Sequence, residues 1–84
     1  MEDVIKFSFN GKEYTGTILS SLDMTPHYHW LIFKQPEMQE ILGDEIAFIV
    51  KNAELRPVNS FLAHKNKELF QQIRNAMEKH LTSQ

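Results

Sequence analysis

The sequence contains no cysteine. That excludes a disulfide, a thiolate nucleophile and any zinc or iron–sulfur centre built on cysteine, and it fits a reducing compartment. Glycine is scarce and dispersed, at Gly11, Gly16 and Gly43, so no glycine-rich loop exists to cradle a phosphate with backbone amides. No proline-rich or glycine-rich linker, internal repeat or low-complexity run divides the chain. The longest apolar runs, Trp30–Phe33 and Ile46–Val50, are far too short to span a membrane. The opening Met1–Lys6 is acidic and lacks the apolar stretch of a secretory signal. A soluble cytoplasmic protein without membrane attachment is expected.

A strong basic excess is also missing. Residues 1–58 hold five Lys/Arg against nine Asp/Glu, and residues 59–84 hold four against two, for a net charge of −2. The acids gather at Glu37, Glu40, Asp44 and Glu45. A nucleic-acid surface needs cations interleaved with its aromatics, and Lys6, Lys12 and Lys34 are too few.

What is present is a change of period. The 84 residues make one domain with one small core. Residues 1–58 read mostly at period 2, whereas residues 59–84 read as a helix and its lead-in, at period 3.6. Ile5, Phe7 and Phe9 alternate with Lys6 and Ser8. Asn10-Gly11 then supplies a two-residue type I′ turn. That turn sets Phe9 opposite Lys12, Phe7 opposite Tyr14 and Ile5 opposite Gly16, where a missing side chain leaves room for another group. The second strand continues through Leu19, and Ser20–Pro26 reads as a loop. Pro26 forces Thr25 into an extended form.

The third strand, His27–Lys34, sets His27, His29, Leu31 and Phe33 on one face and Tyr28, Trp30 and Ile32 on the other. A short helical turn opens at Gln35-Pro36-Glu37 and ends at Gly43, with Met38, Ile41 and Leu42 as its apolar side. Glu45–Lys51 is a fourth strand, and Leu55–Val58 a short fifth, confined to an edge by Pro57. The stripe Leu69, Phe70, Ile73, Met77 and Leu81 predicts a helix over 66–82, with 59–65 as its first turns or a packed lead-in. Lys65, Lys67, Arg74 and Lys79 are placed on its solvated side, with Lys65 able to pair with Glu68, and His80 in its last turn.

The expected fold is α+β: a bent antiparallel sheet of four or five strands, as a meander or half-open small barrel, with one short helical insertion and a C-terminal helix packed on it. The expected core is Ile5, Phe7, Phe9, Ile18, Leu31, Phe33, Phe48, Val50, Phe70 and Ile73.

Three constellations could carry function. Tyr28 and Trp30 share a strand face, and Tyr14 is a third aromatic in the sheet; such residues line protein contacts, stack bases or serve as core. His27-x-His29 is the single metal-like spacing, with two imidazoles on one strand face, but zinc needs a third ligand. Asp23, His64 and the Glu37/Glu40 turn are the available donors. Ser20, Asp23 and His27 place a hydroxyl, a carboxylate and an imidazole close in sequence, without a nucleophile elbow. No complete catalytic or cofactor motif occurs. The leading expectation is a non-catalytic domain without cofactor that binds protein, whether another chain or its own copy. Metal binding at His27 and His29 and single-stranded nucleic acid on the aromatic face are the alternatives.

Overall fold

The computed structural model describes residues 3–21, 23 and 27–82. Five strands, β1 (Asp3–Phe9), β2 (Lys12–Ser21), β3 (Tyr28–Ile32), β4 (Glu45–Lys51) and β5 (Glu54–Pro57), form one antiparallel sheet in sequential order. Helix α1 (Pro36–Leu42) lies between β3 and β4, and α2 (Ser60–Lys65) and α3 (Lys67–Thr82) follow β5. The sheet curls into a half-barrel around α3, an α+β arrangement as expected.

The first hairpin has the register its turn dictates: Phe9 pairs with Lys12, Phe7 with Tyr14 and Ile5 with Gly16. Asn10 and Gly11 both adopt positive φ, 53° and 76°. The Phe7 and Tyr14 rings stack at 6.0 Å between centroids. Strand β2 runs further than expected, because Ser20 and Ser21 pair with His29 and Tyr28 instead of forming a loop. The extended conformation expected at Thr25 falls outside the described residues. Strand β3 is shorter than 27–34, yet its flanks stay bonded to β4: the Phe33 N–H donates to the Asp44 carbonyl (2.9 Å) and the Val50 N–H to the His27 carbonyl (3.2 Å). The turn from β4 to β5 is as tight as the first, with Asn52 and Ala53 at φ 54° and 62°. An alanine there is strained, since its Cβ crowds the following carbonyl.

The room over Gly16 is taken by Leu31. A Cβ at Gly16 would stand 2.6 Å from Leu31 Cδ1, and Leu31 is completely buried. Gly16 therefore lets β2 and β3 close over the core. That core differs from expectation at its margins. Phe9 and Val50 are only partly buried and pack against it, while Tyr14, Met38, Leu42, Ile46, Leu55, Leu69 and Met77 join it. The two helices supply Met38, Leu42, Leu69 and Met77. Gly43 ends α1 at φ 88°, its N–H donating to the Gln39 carbonyl at 2.9 Å.

The last segment breaks at Asn66. Asn59 caps α2 by accepting from the Leu62 N–H at 3.0 Å. The break puts Lys65 and Glu68 in different helices, and they form no ion pair among the described residues. Helix α3 buries Leu69, Phe70, Ile73 and Met77, each worth about 1.5–3 kcal/mol when fully removed from water. Phe70 meets Phe48 at 6.0 Å. Arg74 is not simply solvated. It reaches Glu54 on β5 (3.5 Å) and Glu78 on its own helix (2.9 Å). At the far end His80 Nε2 stands 3.8 Å from Asp3 of β1. The helix thus touches both edge strands of the curl.

Two substitutions test this account of the backbone. Gly16→Ala should lower unfolding free energy by about 1–3 kcal/mol, since Leu31 has no space to yield. Ala53→Gly should raise it by roughly 0.5–1 kcal/mol, left-handed strain relieved outweighing the added chain entropy. Urea denaturation of both variants against the parent measures the two signs.

Candidate functional site

Strand alternation sends one set of side chains into the curl and the other outward. The outer set, Tyr28, Trp30, Ile32, Ala47 and Ile49 among it, lies outside the core cluster. The pairing arranges it in rows across the strands. The central row is Leu19, Trp30 and Ala47, continued by Val58, whose N–H donates to the Ala47 carbonyl at 2.9 Å. On one side lies Val4, Thr17, Ile32 and Glu45. On the other lies Ser21, Tyr28, Ile49 and Arg56.

The central row carries no charge. Leu19 and Val58 are 53% and 52% exposed, and Tyr28, Trp30, Ile32, Ala47 and Ile49 are half-buried. Tyr28 and Trp30 stack, 5.8 Å between centroids and 16° between planes. Each ring thereby restrains the other's side-chain freedom. The outward-facing charges of the strands are three cations, Lys6, Lys51 and Arg56, and three acids, Glu13, Glu45 and Glu54; Arg56 is paired with Glu54 at 3.0 Å and Lys6 approaches Glu13 at 4.0 Å. A phosphate-attracting field is absent from this face.

Tyr28 and Trp30 are therefore where the alternation put them. Tyr14 is not part of this surface. It lies in the core beside Phe7, and its hydroxyl donates to Glu37 Oε2 at 2.6 Å. That bond raises the Tyr14 pKa and holds the Glu37 carboxyl below its usual value, with Lys12 (3.4 Å) adding to the second effect. Tyr14 and Glu37 tether α1 to the first hairpin.

The two histidines part company. His27 is exposed before β3, whereas His29 is 6% exposed on the inner face. His29 stands between Ser20 and Phe48 in the pairing, and its Nδ1 lies 2.6 Å from Ser20 Oγ. Desolvation lowers its pKa, with the nearby His27 charge as a second cause. The ring is thus neutral near pH 7. Among the described residues no group of three or more potential metal-binding side chains occurs. The Ser20 partner is His29 rather than the His27 suggested by closeness in sequence, because a strand sends i and i+2 to one face while pairing selects the neighbour. Among the described residues no carboxylate is hydrogen-bonded to the other ring nitrogen, the position a triad's third member takes.

The recesses are shallow. One of about 290 Å³ is lined by Val4, Lys6, Ala76 and His80 among others, and one of about 250 Å³ by Phe48, Pro57, Phe70 and Arg74 among others. Both fall below the roughly 300–1,000 Å³ usual for small-molecule sites. Sequence reading singled out Tyr28 and Trp30 but missed Leu19, Ala47, Ile49 and Val58. The signal for Leu19 existed: pairing of Ile5 with Gly16 sends Ile18 inward and Leu19 outward.

The buried His29 ring predicts a pH dependence. Its folded-state pKa lies below the unfolded value of about 6.5, so the unfolded chain binds more protons as pH falls through that value. Stability should be full above about pH 6.5 and decline below it. Thermal unfolding from pH 7.5 to 5.5 should show the decline. His29→Gln should flatten it, and His27→Gln should leave most of it.

No protein-family model matches the chain, and no characterised protein or solved structure is detectably similar to it. No helix among the described residues is long and apolar enough to cross a membrane.

Proposed function

We propose that the protein is a non-catalytic protein-binding module acting in the cytoplasm through the outer face of its sheet. The observation that carries this reading is the uncharged row of Leu19, Trp30, Ala47 and Val58 beside the Tyr28–Trp30 stack. Contiguous exposed apolar surface is costly on a monomer, and where it persists it is commonly an interaction surface. Aromatic residues at its centre and charges at its margin match the anatomy of protein interfaces. The absence of cysteine fits a reducing compartment.

A photo-crosslinking amino acid placed at Leu19 should give a discrete adduct in cells, lost when Trp30→Ala is added. The same probe at Gln72, exposed on α3, should not give it. No adduct from Leu19, or identical adducts from both positions, would count against the reading.

A further inference from the structure

The sheet ends in two unlike edges. Strand β5 is four residues long, ends in Pro57, which has no N–H to offer, and is tied to α3 by the Arg74–Glu54 ion pair. Strand β1 is seven residues long and holds no proline. Its closing pair at the turn, Phe9–Lys12, exchanges backbone hydrogen bonds, and bonded pairs then alternate along the ladder through Phe7–Tyr14 and Ile5–Gly16. The N–H and C=O groups of Ser8, Lys6 and Val4 therefore point away from β2. Among the described residues no backbone group is hydrogen-bonded to them.

Helix α3 runs antiparallel to β1 beside this edge. Val4, Ile5 and Lys6 line a recess of about 290 Å³ with Ala76, Lys79 and His80, and Ser8 lines one of about 200 Å³ with Glu68 and Gln71. Lys6 belongs to the outer face of the sheet and Ile5 to the inner. A recess that touches both lies against the open edge of the strand. Such a groove matches another backbone, because an extended chain repeats its N–H and C=O groups at the spacing that Val4, Lys6 and Ser8 present.

Charge narrows the partner. The first recess is lined by Lys6, Lys79 and His80 and by no acid. Asp3 stands 3.8 Å from His80 and Glu13 4.0 Å from Lys6, whereas the exposed Lys79 takes part in no ion pair among the described residues. The second recess carries Glu68. A matching chain has a carboxylate at the Lys79 end and none beside Glu68. A second copy of β1 does not supply this. Two β1 edges paired about a twofold axis through Lys6, the register that uses all three positions, set Lys6 against Lys6. A lysine on an edge strand opposes indiscriminate pairing, and an acidic partner is the exception it permits.

We infer that the groove between the β1 edge and α3 takes an extended acidic peptide segment of another protein as an added strand. The groove is separate from the Tyr28–Trp30 stack, so either reading can fail alone. Selection of short random peptides displayed on phage against the full chain tests it, followed by fluorescence anisotropy of the recovered sequences. Recovered peptides should carry Asp or Glu at a fixed position. N-methylation of alternate amides should weaken binding at least about tenfold in one of the two alternating sets and not in the other, since only one set faces β1. Lys79→Glu should weaken it by a similar factor, and Lys79→Arg, which keeps the charge, should not. Leu19→Lys should leave it intact. Recovery of no peptide, an equal response to both methylated sets, or indifference to Lys79→Glu would each overturn the inference. Loss of binding with Leu19→Lys would overturn it too, by moving the peptide to the outer face.

Discussion

One helix can cover one face of a sheet, and the architecture follows from that limit. Helix α3 offers Leu69, Phe70, Ile73 and Met77 along a single stripe. To bury its inner residues under so narrow a cover, the sheet must curl. The curl depends on Gly16, where Leu31 occupies the volume a side chain would need. It is closed by α3 reaching Glu54 on β5 through Arg74 and Asp3 on β1 through His80. Such surface ion pairs contribute about 0–1 kcal/mol each, so they orient the helix while apolar burial holds it.

The same limit leaves the outer face bare. Along β3 the alternation gives both outcomes at once: His29 and Leu31 go inward, and Tyr28 and Trp30 outward. The polar exception sits inside. His29 is accepted in the curl because Ser20 satisfies one ring nitrogen and the neutral form avoids burying a charge. The apolar exception sits outside, where Tyr28 and Trp30 stack and each ring stays half-exposed.

How much of this is legible in the sequence depends on the range of the interaction. Asn10-Gly11 is local, and it set the first register down to Ile5 and Gly16. Strand order and helix placement followed from period and short connections. The second tight turn was harder to read, because Asn52-Ala53 lacks the glycine that normally marks positive φ. Membership of the outer rows needed the pairing of β2 with β3 and β3 with β4, which no single stretch encodes. Ser20 shows this best. Its neighbours in sequence suggested a loop hydroxyl near His27, and pairing across strands delivered it to His29. Tyr14 likewise went to the core once α1 brought Glu37 to its hydroxyl.

The central claim is that the protein's own helices leave the Tyr28–Trp30 face uncovered. Trp30 is the single tryptophan, so its fluorescence reports that face alone. The decisive measurement is collisional quenching by acrylamide in dilute protein. The account predicts ready quenching of a half-exposed indole, diminishing as the face is occupied. An indole shielded from quencher at high dilution would mean that the chain covers this face itself, and would contradict the account.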